Sequence, residues 1–138
     1  MKTFLRMLAF ASAIVCMMLF ANSCSSQSSA KDVAEQSMEC LKKGDFDQFT
    51  KFIYISESTS AEDAEKTRAM YKALYESKGK LQLEKKQGIK SYEVVEEKMN
   101  DDGDRCKIVF KIYYGDGSEK EDTFTTRKDK DGKWWIEP

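Results

Sequence analysis

The repeat of apolar residues changes its period at Gly88, and this change limits the fold more than any other feature of the chain. Before Gly88 the apolar residues recur at helical spacing, and from Ile89 onward they alternate with polar ones. Helices followed by a run of strands joined by tight turns are typical of an α+β domain. We therefore predict N-terminal helices packed on one face of a curved antiparallel sheet of about four strands.

The helical half divides at its glycines and capping residues. A first helix is predicted over Ala30–Lys43, with Gly44 just past its end and Asp45 as the cap of a second, short helix. Thr59 or Ser60 would cap a third helix that ends at Gly79, with a buried stripe formed by Met70, Tyr71 and Leu74. A further helical segment is predicted over residues 80–87.

The strand half is divided by turn signals at residues 100–103, 115–117 and 129–132. Strands are predicted over Ile89–Met99, Arg105–Tyr114, residues 118–128 and Trp134–Glu137. The second strand alternates most regularly. Its predicted core-facing residues are Cys106, Ile108, Phe110, Ile112 and Tyr114.

The first 24 residues have the pattern of a lipoprotein export signal. Lys2 and Arg6 precede an apolar run over residues 7–20, and small residues at 21–23 lead directly to Cys24. We predict a signal peptide over residues 1–23, lipid on Cys24, and a serine-rich tether over residues 24–29. Ordinary signal-peptidase cleavage, which would leave a free thiol, and an uncleaved anchor are the alternatives.

Size and charge bound the remainder, residues 30–138, to one small domain. The first 23 residues hold two basic and no acidic residues, so the rest of the chain has 21 basic and 24 acidic ones. The charges alternate in sign, which argues against a nucleic-acid partner. The chain has no histidine, which excludes Ser-His-Asp and Cys-His catalysis and most zinc sites. We expect no metal or cofactor.

Four segments together resemble a known family: residues 43–46 (KGDF), 88–94 (GIKSYEV), 114–118 (YGDGS) and 131–134 (DGKW). They are similar to small bacterial lipoproteins grouped as domain of unknown function 4878, of the nuclear-transport-factor-2-like, or cystatin-like, superfamily. The resemblance covers about residues 30–138. It implies a cone-shaped fold and a cell-envelope location. Because Ser25 follows the cysteine, resemblance to Gram-negative lipoproteins favours the outer membrane.

Cone folds of this superfamily often hold a pocket between sheet and helices, and some use it for catalysis. Aromatic residues that could line such a pocket for a small apolar ligand are Tyr54, Tyr71, Tyr75, Phe110 and Trp134. The alternative, that they only fill the core, is favoured. Isomerase chemistry would need a buried carboxylate, and the strand acids Glu93, Glu97 and Asp122 are expected to be exposed.

Two further groups of residues are candidates for specific roles. Cys40 and Cys106 could form a disulfide in an oxidising envelope, or lie apart as two buried thiols. Val109, Tyr113 and Trp135 are expected on the open face of the sheet, as a surface for an envelope protein or a second copy. The leading hypothesis is a lipid-anchored envelope protein that binds a protein partner or a small apolar ligand. A small hydrolase or isomerase is the alternative.

Overall fold

The computed structural model describes residues 29–138, and its first half is helical. The four α-helices are α1 (Ala30–Lys43), α2 (Phe46–Thr50), α3 (Ala61–Leu74) and α4 (Lys80–Lys85). A π-helical turn, Tyr75–Gly79, joins α3 directly to α4. The strands are β1 (Ile89–Met99), β2 (Arg105–Tyr114), β3 (Glu119–Lys128) and β4 (Trp134–Glu137). The predicted α+β architecture is confirmed.

Helix α1 begins and ends where its capping residues require. The Ser29 hydroxyl accepts a hydrogen bond from the Asp32 backbone N–H, and the Asp32 carboxylate accepts one from the Ser29 backbone N–H, which completes a capping box. Gly44 ends the helix with φ at +73°, a backbone conformation that glycine adopts without strain. Between these ends the helix buries one face against the sheet. The buried residues are Ala30, Val33, Ala34, Ser37 and Met38.

The sheet is an antiparallel meander with the strand order β1-β2-β3-β4. Strand β2 lies inside it and alternates between buried and half-exposed or exposed residues along its length. All five residues that the sequence assigned to the core face of β2 are buried. They form the core with the buried face of α1 and with Trp134 and Ile136 of β4. Most of the buried apolar residues that stabilise the domain therefore belong to α1 and β2.

Helix α3 does not bury the predicted stripe. Met70 is 60% exposed, Leu74 is 44% exposed and Tyr71 is only partly buried. The side of α3 that meets the domain carries polar groups instead. Arg68 Nη1 donates to the Thr50 carbonyl oxygen at 2.5 Å, and Lys72 Nζ lies 3.4 Å from the Asp47 carboxylate. The prediction was wrong because α3 rests on α2 rather than on the sheet.

The predicted signal peptide, residues 1–23, the lipid-bearing Cys24 and most of the tether lie outside the described residues. Within residues 29–138, no helix has both the length and the apolar character needed to span a bilayer. Within the described residues, buried side chains of α1 and the sheet form one hydrophobic cluster.

Candidate functional site

A cavity of about 190 Å³ lies between the helices and the β1–β3 part of the sheet, and we call it the cone cavity. Its walls are mainly apolar, and its polar side chains are a few charged, amide and phenol groups. The apolar and aromatic lining residues are Met38, Leu41, Phe46, Tyr75, Leu83, Ile89, Ile112, Tyr114 and Phe124. The other lining residues are Gly79, Gln82, Lys86, Lys120 and Asp122.

Aromatic contacts hold the helical wall of the cone cavity in place. The Tyr75 ring packs edge-on against Phe49, with 4.7 Å between the ring centroids, and is stacked near Phe46 at 6.4 Å. Phe124 of β3 packs edge-on against Phe110, which is fully buried behind it. The π-helical turn thereby presents Tyr75 to the cavity from a fixed position.

Backbone hydrogen bonds attach the end of α4 to the turn between β2 and β3. The Asp116 N–H donates to the Lys86 carbonyl oxygen at 3.0 Å, and the Gly115 N–H donates to that of Gly88 at 2.9 Å. Gln87 and Gly88 both have positive φ, +61° and +76°, which turns the chain sharply from α4 into β1. This attachment fixes Lys86 beside Tyr114.

The mouth of the cone cavity carries two lysines and one carboxylate. Lys86 is half-buried, and its Nζ lies 4.6 Å from the centroid of the Tyr114 ring. Lys120 Nζ lies 3.9 Å from Asp122 Oδ2, and both side chains are largely exposed, at 57% and 48%. Among residues 29–138, Lys86 forms no ion pair within 4.0 Å, although its charge helps to lower the pKa of the nearby Asp116. The mouth therefore holds one lysine in an ion pair and one lysine without a direct carboxylate contact.

Two phenol groups complete the polar part of the cavity. Burial, and then the neighbouring Tyr71 and Asp122, raises the pKa of Tyr75. Burial, and then the charges of Asp122 and Asp116, raises the pKa of Tyr114. Both phenols are therefore protonated at neutral pH, and each can donate a hydrogen bond into the cavity.

Of the five residues predicted to line a pocket, only Tyr75 lines the cone cavity. Phe110 is a core residue, and Trp134 lies at the other end of the sheet. The Tyr54 ring packs against the Arg127 guanidinium, whose central carbon lies 4.3 Å from the ring centroid. Tyr71 is on α3 and does not line the cavity. The sequence did not indicate Leu83 or Lys86 as lining residues, because no local pattern shows how closely α4 approaches Tyr114.

A second depression, the tryptophan cleft, lies beside the turn between β3 and β4 and has a volume of about 520 Å³. It is lined by Val33, Gln48, Lys51, Phe52, Asp131, Gly132, Lys133, Trp134 and Trp135. The indole N–H and the ring of Trp135 both have partners within the protein. Its Nε1 donates to Asp129 Oδ2 at 2.8 Å, and Lys133 Nζ lies 4.2 Å from its ring centroid.

Three acidic side chains lie close together next to this cleft. Within residues 29–138, Glu57, Asp129 and Asp131 bring their oxygens within 4.8 Å of one another. Lys130 Nζ lies 2.7 Å from Glu57, and Asp129 Oδ1 accepts hydrogen bonds from the Asp131 and Lys133 N–H groups. The Glu57 carboxylate is therefore already neutralised and that of Asp129 already hydrogen-bonded, as in an ordinary structured turn.

Comparison with known proteins agrees with the fold and assigns no activity. The family model described as a domain of unknown function, DUF4878, matches residues 22–137. The chain belongs to the DUF4878 family. No curated protein shows significant sequence similarity to it.

A solved structure places the DUF4878 domain among NTF2-like folds. A Campylobacter jejuni protein, provisionally named an NTF2-like transpeptidase, has a crystal structure that matches with a TM-score of 0.66 and 20% sequence identity. The match covers 80% of this chain and 99% of that chain. At this identity the similarity shows the fold alone, and it confirms the nuclear-transport-factor-2-like architecture.

The two cysteines among residues 29–138 of the DUF4878 domain, Cys40 and Cys106, are both free, so the bridge that the sequence allowed is not formed. Cys40 lies towards the end of α1, close to Tyr92, whose strand partner is Ile112. Cys106 is six residues from Ile112 along β2, or roughly 20 Å at about 3.3 Å per residue. A disulfide needs Cα atoms less than about 7 Å apart. Burial is the largest cause that raises the pKa of each thiol.

The outer face of the DUF4878 sheet, opposite the core, carries Val109, Tyr113 and Trp135, all half-exposed. Charged neighbours separate them. Val109 pairs with Glu96 and Thr123, and the Tyr113 hydroxyl donates to Glu93 at 2.8 Å. These residues share the outer face because side chains alternate along β2 and β4, but they do not form one continuous apolar patch.

Proposed function

We propose that this chain is a lipid-anchored protein of the bacterial cell envelope that holds a small, mainly apolar ligand in the cone cavity without transforming it. The observation that carries the proposal is the cavity itself, whose apolar walls lie next to a few polar groups. Ligand sites commonly combine these two features. At about 190 Å³, the space suits a ligand much smaller than a nucleotide or a sterol.

The location rests on the sequence of residues 1–29. The sequence begins with basic residues, continues with a short apolar run, and has small residues before Cys24, a pattern that favours export and lipid attachment. A serine-rich tether then connects Cys24 to Ser29, the residue that caps α1. An outer-membrane location is the favoured form of this proposal. The other binding role is contact with a protein partner or a second copy through the outer face of the sheet.

The second candidate, an isomerase or hydrolase, has one observation in its favour. Asp122 is close enough to Tyr75 and Tyr114 to raise the pKa of both phenols. Catalysis by such a carboxylate needs surroundings that exclude water, whereas the Asp122 side chain is 48% exposed and paired with Lys120. We therefore prefer binding to catalysis.

The transpeptidase name of the Campylobacter jejuni protein gives this chain no further support. Acyl transfer of that kind needs an activated nucleophile such as a thiolate. Both described cysteines have pKa values raised mainly by burial, which disfavours the thiolate, and no histidine is present to act as a base.

The anchor is tested by cell fractionation of the full chain with Cys24→Ser. The expected result is transfer of the protein from the membrane fraction, or accumulation of an unprocessed precursor, with loss of labelling by an alkyne-tagged fatty acid. The matched control is Cys16→Ser, which changes a cysteine inside the predicted signal peptide. Fatty-acid labelling that survives Cys24→Ser would contradict the anchor.

The ligand is tested by native mass spectrometry of the full chain released from membranes. A Met side chain at Gly79 would extend from a backbone position whose nearest neighbours, Tyr75 and Phe46, both line the cavity. A bound mass on the wild type is therefore expected to disappear in Gly79→Met. Ser77→Met, on the exposed side of the same turn, should retain it. A bare mass for the wild type and both variants would contradict ligand binding.

A further inference from the structure

The unpaired lysine at the mouth of the cone cavity is the starting point. Lys86 is half-buried over the Tyr114 ring and has no carboxylate within 4.0 Å among the described residues. The nearby Asp116 is otherwise engaged, because its Oδ1 accepts hydrogen bonds from the Ser118 N–H at 2.9 Å and from the Ser118 hydroxyl. Lys86 is only half-buried and acts on Asp116 through its charge without forming an ion pair, so an anionic ligand group would supply the direct, charge-assisted hydrogen bond that it lacks.

The phenols of Tyr75 and Tyr114 make a second, independent observation. Both line the cone cavity, and neither hydroxyl donates to a protein group within residues 29–138. The other two tyrosine hydroxyls close to carboxylates, those of Tyr92 and Tyr113, donate to Glu39 and Glu93. The cavity therefore keeps two donors available where its apolar walls meet its mouth.

The size of the cavity sets the size of the ligand. A volume of about 190 Å³ equals the share of roughly six water molecules, at about 30 Å³ each. An unbranched tail of five or so carbons would therefore fill the apolar part. A longer chain would extend past Lys86 and Lys120 into solvent.

We propose that the cone cavity takes a small monocarboxylate with an unbranched apolar tail, the tail lying between α1 and the sheet and the carboxylate meeting Lys86 Nζ. Tyr75 and Tyr114 supply hydrogen bonds to the carboxylate oxygens. A cationic head group fits less well, because Asp122, the one carboxylate of the lining, already has Lys120 as its partner. This inference rests on the proposed function and names its ligand class.

The test compares hexanoate, 1-hexanol and hexylamine, which share a six-carbon chain and differ in charge. Their binding to the full chain in phospholipid nanodiscs is measured by ligand-observed NMR, with empty nanodiscs subtracted. The wild type is expected to bind hexanoate about tenfold more tightly than 1-hexanol, as one charge-assisted contact supplies. Lys86→Gln should abolish this preference, because hexanoate binding weakens about tenfold relative to 1-hexanol.

The matched control is Lys85→Gln, the preceding residue, which is exposed and does not line the cavity. It should keep the preference for hexanoate. Equal binding of hexanoate and 1-hexanol by the wild type, with both lost in Gly79→Met, would overturn carboxylate recognition and leave the proposed apolar binding intact. Preference for hexylamine would also overturn it. Binding of none of the three would count against the proposed function as well.

Discussion

Helices α1 and α3 have the same length, 14 residues, and nearly the same beginning, yet they contribute differently to the domain. Each is capped by a serine, Ser29 or Ser60, and each has acidic residues in its first turn. Five residues of α1 are buried, whereas none of α3 is. The start of a helix is thus a local property, while its burial depends on what lies beneath it.

The two helices also differ in how they are attached. Helix α1 lies on the sheet and fills the core with apolar side chains. Helix α3 is held through Arg68 and Lys72 to the backbone and a carboxylate of the α2 region. The Lys72–Asp47 pair is largely exposed and stabilises little, and no residue of α3 is buried, so α3 is expected to open separately at a lower free-energy cost than α1.

The largest expected effect comes from a matched pair of methionines, one on each helix. Met38 of α1 is fully buried and Met70 of α3 is 60% exposed. Met38→Ala should lower the free energy of unfolding by about 3 kcal/mol, because it removes buried atoms and leaves a cavity. Met70→Ala should change it by less than about 0.5 kcal/mol.

Urea denaturation of both variants measures the difference between the methionines. Equal losses of stability for Met38→Ala and Met70→Ala would mean that α3 is packed as α1 is, and the contrast between the helices would fail. A loss at Met70 that depends on protein concentration would instead show that α3 is covered by a second copy.

The sequence predicted helix α1 and strands β1, β2 and β4 to the residue, because each has a local cause. Ser29 and Gly44 fix α1, and tight turns with strict alternation fix the strands. The helix ending at Gly79 was predicted wrongly. Gly79 has φ −65° and ψ −46°, and the chain continues through it as a π-helical turn into α4. Glycine permits a helix end without requiring one.

The candidate site was less predictable than the fold. Aromatic composition predicted lining residues, but four of the five lie elsewhere, since a pocket is made by residues distant in sequence. Lys86 and Tyr114 meet because backbone hydrogen bonds join α4 to the turn after β2. The segments that carry the family resemblance include both sides of this junction. Their amino-acid sequence does not show that the two sides lie close together in the fold.

A pH-dependent contact distinguishes the attachment of α1 from that of α3. The Tyr92 hydroxyl of β1 donates to Glu39 of α1 at 2.9 Å, and burial together with Glu39 raises the pKa of Tyr92 to about 12. The folded state therefore keeps a proton that the unfolded state loses near pH 10. The contribution is full below pH 10 and is lost as the pH rises from 10 to 12.

Unfolding of wild type and Tyr92→Phe at several pH values measures this contribution. The stability difference between them should be constant up to pH 10 and then shrink by about 1 kcal/mol, allowing for solvent screening. A difference that grows above pH 10 would contradict the direction of the pKa shift.

The two capping serines give a smaller effect. Ser29→Ala and Ser60→Ala each remove one hydrogen bond to a first-turn N–H and should each cost about 1 kcal/mol in their own helix. Ser29→Ala is expected to lower global stability, because α1 unfolds with the core. Ser60→Ala should instead speed amide hydrogen exchange in α3 about fivefold and leave exchange in β2 unchanged. A matching change in β2 would show that the helices open together.

Gly79→Ala gives the smallest expected change. It should stabilise the α3–α4 arm, which is the helical segment that runs from Ala61 to Lys85. Gly79 already has helical φ and ψ, and an added Cβ would meet Tyr75 and Phe46 at 3.6 Å or more, which is ordinary contact. Alanine should therefore stabilise the α3–α4 arm by about 0.5 kcal/mol, because it restricts the unfolded chain. Slower amide exchange across the π-helical turn, with β2 unchanged, would check this.

The contrasting control for Gly79→Ala is Gly115→Ala, where a Cβ would overlap the Gln87 carbonyl oxygen. That substitution should be destabilising, because it forces apart the turn and the end of α4 that the Gly115–Gly88 hydrogen bond joins. If Gly79→Ala raises the stability and Gly115→Ala lowers it, the α3–α4 arm can be stiffened at Gly79, while its junction with the sheet tolerates no added atom. If Gly79→Ala destabilises as well, the turn depends on the flexibility of glycine, and α3 then differs from α1 in its backbone as well as in its burial.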